Sequence, residues 1–119
     1  MTGRRREIGI FGEKAAVKYL SGHGYAIIET NYRCKLGEID IIAKEKETYV
    51  FIEVKTRSNG SYGRPAEAIN FKKQSHLYKA AQMYIQSKRL FHYDFRFDAI
   101  EIIGSADRIT EINHIKNIF

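Results

Sequence analysis

Glu53 and Lys55 close an otherwise apolar strand-like run, Thr48–Thr56, within Phe51-Ile52-Glu53-Val54-Lys55, and Asp40 interrupts a second apolar run, Gly37-Glu38-Ile39-Asp40-Ile41-Ile42-Ala43. Side chains alternate across a strand, so Glu53 and Lys55 share one face with Tyr49 and Phe51, while Ile52 and Val54 take the other. A strand apolar on both faces is normally buried on both. A carboxylate and an ammonium at its end therefore cost desolvation unless something compensates. A divalent cation held between two acids would compensate, with Lys55 beside it as a positive group.

The elements that must position these groups follow from the spacing of apolar residues. Lys44-Glu45-Lys46-Glu47 is polar and short enough for a hairpin, although it lacks Asn-Gly or Asp-Gly. Antiparallel pairing about that turn sets residues whose numbers add to about 92 or 93 opposite one another, which brings Asp40 near Glu53. Before these strands, Ile8, Phe11, Ala15, Ala16, Tyr19 and Leu20 recur at helical spacing and Gly22-His23-Gly24 supplies a stop, predicting a helix over roughly Arg5–Ser21. Glu13 falls beside Ala16 and Leu20 at the edge of the apolar face, from where it could reach over the sheet. The plainer reading is an exposed glutamate in an ion pair, but Ala16 and Val17 cannot pair with it, and Lys14 and Lys18 have poor spacing.

Tyr25–Thr30 reads as a first strand and Asn31–Leu36 as an irregular basic stretch. Thr56–Pro65, rich in turn formers, reads as a mobile loop beside the acids. A second helix is expected from about Asn70 to about Lys88, with Phe71, Leu77, Tyr78, Ala81, Tyr84 and Ile85 on one face and Lys72, His76, Lys79 and Met83 opposite. Gln74 lies within the apolar face and needs a partner, either a group of the site or a core acceptor. Asp94–Ile103 reads as a strand and Ile109–Ile115 as an appended edge strand. Asp98, inside the former, is expected to pair with Arg33, Arg57 or Arg96. The order of elements gives a single α/β domain over 1–119, with helices flanking a mixed sheet.

The chain of 119 residues has a formal net charge of +6, which suits polyanionic partners. Cys34 is its only cysteine, excluding an intrachain disulfide and arguing against a thiolate zinc site. His23, His76, His92 and His114 lack metal-ligand spacing. Neither a signal peptide nor a membrane-spanning run is expected, and a reducing, cytoplasmic location fits.

The helix carrying Glu13, the Gly37–Ala43 run and the Phe51–Arg57 run together resemble the PD-(D/E)XK nuclease superfamily in motif and element order. More narrowly, Gly37-Glu38-Ile39-Asp40, Glu53-Val54-Lys55-Thr56-Arg57 and Pro65–Lys73 resemble the YraN-like family, grouped with Holliday-junction resolvases of the archaeal type. Ile39 departs from the superfamily pattern, standing where its name places proline. The resemblance implies a restriction-endonuclease-like αβββαβ core and a Mg²⁺-dependent endonuclease acting on DNA, with branched DNA as substrate and Mn²⁺ as a substitute metal. The alternative is a nucleic-acid-binding module that keeps the fold without efficient cleavage. A third reading is a protein-interaction domain in which the acidic cluster is only a salt-bridge network.

By the same resemblance, Asp40 and Glu53 are the main metal ligands, the Val54 carbonyl is a third, and Glu13 completes the site directly or through water. Lys55 orients or helps deprotonate the attacking water and offsets developing negative charge. Glu38, on the face of Asp40, is read as a supporting or solvated group. Arg4–Arg6, Arg33, Lys35, Arg57, Arg64, Lys72 and Lys73 are the cations expected to contact phosphates. Resolvases cut two strands symmetrically, so a homodimer is implied as well.

Overall fold

A computed structural model of the chain describes residues 2–57, 71–105 and 108–119, with side chains within 11–57, 74–105 and 108–119. Helix α1 (Thr2–Ser21) precedes strands β1 (Ala26–Cys34), β2 (Gly37–Glu45) and β3 (Thr48–Arg57). Helix α2 (Phe71–Lys88) and strands β4 (Asp94–Ser105) and β5 (Arg108–Ile115) follow. The sheet order is β1-β2-β3-β4-β5, antiparallel except for the parallel β3–β4 pair, whose connection runs through α2. This is the mixed α/β sheet with flanking helices that the sequence predicts, consistent with a restriction-endonuclease-like core.

Alternation along the central strand builds two cores. Val50 and Ile52 of β3 join Ile41, Ala43, Ile100 and Ile102 against Ala16 and Leu20 of α1. Phe51 faces the other way, with Ile39 and Ile42, against Leu77, Ala80, Ala81, Tyr84 and Ile85 of α2. Each fully buried aliphatic or aromatic side chain contributes about 1.5–3 kcal/mol of transfer free energy, so β3 is the strand least free to shift. The β2–β3 turn is closed by the Glu45↔Thr48 pair, and Lys46 takes the left-handed conformation (φ 55°) that Asn or Gly usually supplies.

Two expectations need correction. The first strand does not end at Thr30: β1 runs to Cys34, leaving only Lys35 and Leu36 in the turn before β2. A register shift between Ile27 and Glu29 and a left-handed Asn31 (φ 55°) break the pattern midway, after which Tyr32 and Cys34 pack toward the α2 core. On α2, Ala80 belongs to the buried face and Tyr78 is half-exposed. Asn70 and most of the expected mobile loop, 58–65, lie outside the described residues, while Thr56 and Arg57 belong to β3.

Gly12 sets how closely α1 approaches the sheet. A Cβ there would collide with Thr56 Oγ1 and come within 3.0 and 3.1 Å of Thr56 Cβ and Cγ2, so rotating the threonine does not clear the space. Alanine should improve helix propensity by about 1 kcal/mol, but overpacking of this kind costs about 1–3 kcal/mol. We therefore expect Gly12→Ala to lower the urea midpoint. An unchanged or higher midpoint would show that α1 and β3 are not in this contact.

Candidate active site

The sheet forks at the residues singled out by chemistry. Strand β2 pairs with β3 from Glu45↔Thr48 only as far as Ile41↔Ile52, whereas β3 stays paired with β4 to Arg57↔Ile103. The observed register is the one that sets Asp40 opposite Glu53. At the fork, the Asp40 carboxylate replaces the missing ladder partner: the Val54 N–H donates to its Oδ2 at 2.8 Å. Glu53 follows Phe51 and Ile52 out of the core, and Lys55 Nζ stands 3.4 Å from Glu53 Oε1, their side chains 21% and 15% exposed.

Burial pushes the Asp40 carboxyl up to about 7. The Val54 N–H opposes that rise, while the negative charges of Glu53, Glu13 and Glu38 add to it. Glu13 on α1 is close enough to add to the rise, but it lines a separate cavity with Lys14, Val17, Thr30 and Asn31, whereas Glu53 lines the cleft beside His76 and Leu77. Glu38 is exposed and pairs with its cross-strand neighbour Arg33 at 3.3 Å. Both of those side chains are largely in solvent, where such a pair contributes little.

An acid held near neutrality by burial and by other acids fits a cation. Hard oxygen donors select Mg²⁺-like ions, which are commonly held by one or two carboxylates and keep several waters. Asp40 and Glu53 supply that number. Among the described residues no group of three or more histidine, cysteine and carboxylate side chains is arranged to hold a metal. Val54 meets the cluster through its N–H, and its carbonyl and Glu13 stay as proposed ligands.

Other expected residues lie elsewhere or in other roles. Gln74 donates from Nε2 to the Ile118 carbonyl at 3.3 Å, tying α2 to the segment after β5. Lys35 is exposed in the β1–β2 turn. Arg57, on the Lys55 face of β3, donates from Nε to Glu101 Oε2 at 2.9 Å. Arg64 and the side chains of Arg4–Arg6, Lys72 and Lys73 lie outside the described residues. Asp98 pairs with Arg96, as expected, through bonds of 2.9 and 2.8 Å.

Sequence reasoning passed over Glu101. It is 2% exposed, sits across from Lys55 in the parallel register, and also accepts from Asn113 Nδ2 at 3.0 Å. Its signal was of the kind that marked Asp40, an acid inside the apolar run Ala99–Ile103.

Residues 12–102 match the model of a protein family described as uncharacterised protein family UPF0102. A UPF0102 protein of Clostridium botulinum (strain 657 / Type Ba4) is 53% identical over 116 residues, covering 96% of this chain and 94% of the relative. Another from Caldicellulosiruptor bescii is 50% identical over 120 residues, covering 96% and 98%. The match takes in the α1 glutamate, both strands of the fork and Glu101, and the chain belongs to the UPF0102 family.

Proposed function

We propose that the protein is a Mg²⁺-dependent endonuclease hydrolysing phosphodiester bonds in DNA, related to the Holliday-junction resolvases of the PD-(D/E)XK superfamily and acting on branched DNA as a homodimer. The observation that carries this reading is the part-buried Asp40 carboxylate, bonded to the Val54 N–H and raised toward neutrality at the fork beside Glu53 and Lys55. Asp40 and Glu53 would hold the metal, with the Val54 carbonyl and Glu13 completing the site. Once bound, Mg²⁺ stabilises charge on the phosphate and eases deprotonation of water, and Mn²⁺ can substitute.

Lys55, held beside Glu53, orients the attacking water and offsets negative charge developing on the phosphate. Arg33 and Lys35, both exposed, contact backbone phosphates, which positions the nucleic acid without reading its sequence, while Arg57 is held by Glu101. No helix among the described residues is long and apolar enough to cross a membrane. The free Cys34 and a DNA substrate suit a cytoplasmic location.

The test is incubation of branched and linear DNA with the protein and Mg²⁺ or Mn²⁺, beside Glu53→Ala and an excess of chelator. Metal-dependent cleavage that falls at least about 100-fold in the variant is expected. Equal cleavage by the variant would assign the activity to a contaminant. Binding without cleavage in either metal would support the second reading, a nucleic-acid-binding module.

A further inference from the structure

A cleft of about 430 Å³ opens beside the fork, between the β1–β2 turn and the start of α2. Its lining includes the exposed Leu36, His76, Arg33 and Lys35, together with Glu53 and the buried Leu77. Its size falls within the range of about 300–1,000 Å³ common for small-molecule sites.

A singly exposed leucine calls for no explanation in itself, and Leu36 is 45% exposed. What distinguishes it is a fixed position at the edge of the proposed reaction centre. A Cβ on Gly37 would lie 2.6 Å from the His76 carbonyl oxygen, so the turn rests backbone to backbone on α2. The gap between Leu36 and His76 is therefore set by main chain. An exposed leucine and an exposed histidine on the two sides of the cleft suit the face of a ring, and the exposed cations Arg33 and Lys35 suit the phosphates attached to it. A base inside a duplex presents no free face.

We infer that this cleft takes the base of an unpaired nucleotide adjoining the phosphate held at Asp40 and Glu53. The inference rests on the nuclease reading for the position of that phosphate. It gives the site a preference for nucleic acid with an unpaired nucleotide beside the cut, arising from stacking rather than from sequence.

The test uses the full chain with Ca²⁺ in place of Mg²⁺ and two DNA duplexes, one fully paired and one with a single bulged 2-aminopurine. Wild type is expected to bind the bulged duplex roughly tenfold more tightly. The fluorescence of the bulged base should change on binding. In Leu36→Ala combined with His76→Ala, the preference should fall to about twofold or less and the fluorescence change should vanish, with paired-duplex affinity retained. Both side chains are exposed, and a matching melting temperature checks that the double variant folds. Lys35→Gln should weaken both duplexes alike and reduce the salt slope by about one. Equal affinity of wild type for both duplexes, or an undiminished preference in the double variant, would overturn the cleft assignment and leave the nuclease reading intact. Failure of wild type to bind either duplex would remove both.

Discussion

Asp40→Asn should make the metal-free protein more stable above pH 7 while sharply reducing the proposed cleavage. The folded carboxyl is raised from its ordinary 3.8 to about 7, so folding favours its protonated form. The sign follows from linkage. Below about pH 4 the group is protonated in both folded and unfolded chains and costs nothing. Between about 4 and 7 the unfolded chain ionises while the folded one resists, and stability falls; above about 7 the full penalty is present. The size of the rise corresponds to about 4 kcal/mol, and partial exposure reduces this to about 2–4 kcal/mol.

Asparagine keeps an oxygen for the Val54 N–H and removes the charge. Its urea midpoint should therefore exceed that of wild type at pH 8 and converge with it near pH 4. Cleavage should drop by at least about 100-fold, because the charge that destabilises the fold is the one a cation needs. A variant less stable than wild type at pH 8 would mean that the Asp40 charge is already compensated within the protein.

Asp98→Ala should have the opposite effect, a loss of about 3–5 kcal/mol. Asp98 is completely buried and accepts from Arg96 Nε and Nη2, from His114 Nε2 at 2.7 Å and from the Asn117 N–H at 3.1 Å. With Nε2 as the donor, Nδ1 of a neutral His114 accepts from the Tyr19 hydroxyl at 3.3 Å, joining α1 to β5. Arg96 also reaches Tyr25 and Glu45. Truncation strands a guanidinium, an imidazole and an amide together.

Burial alone would raise the Asp98 carboxyl, but the bonds from His114, Arg96 and Asn117 hold it below its ordinary value. The stabilisation it provides is present above pH 4 or so and is lost as pH falls through the lower folded value. Asp98 thus sets the acid limb of the stability profile and Asp40 the decline toward neutrality. Chemical denaturation from pH 3 to 8 separates the two variants. A change under about 1 kcal/mol in Asp98→Ala would show the network to be dispensable.

The fork was legible because its determinants are local. Alternation assigned Glu53 and Lys55 to one face, and a four-residue polar segment fixed which β2 residue meets them. The Arg96–Asp98 pair was readable for the same reason, since neighbours two apart share a face. His114 and Glu101 were not, because their partners depend on the register of β5 on β4 and of β4 on β3, which no hairpin spacing between β3 and β4 could supply. The second half of β1 was hidden by Asn31 and the register shift. Gly12 gave no sign of Thr56, 44 residues away, because a close approach between helix and sheet leaves only a missing side chain in the sequence.

The most direct test of the cation site is a Mn²⁺ titration at pH 7, followed by electron paramagnetic resonance for free metal and by calorimetry in buffers of different ionisation enthalpy. Wild type should bind Mn²⁺ in competition with Mg²⁺ and release a fraction of a proton, since the Asp40 carboxyl is raised to about 7. Asp40→Asn and Glu53→Ala should each lose at least about tenfold in affinity, and Asp40→Asn should lose the proton release. Equal Mn²⁺ affinity in all three proteins, with no proton released by wild type, would contradict a metal centre at the fork.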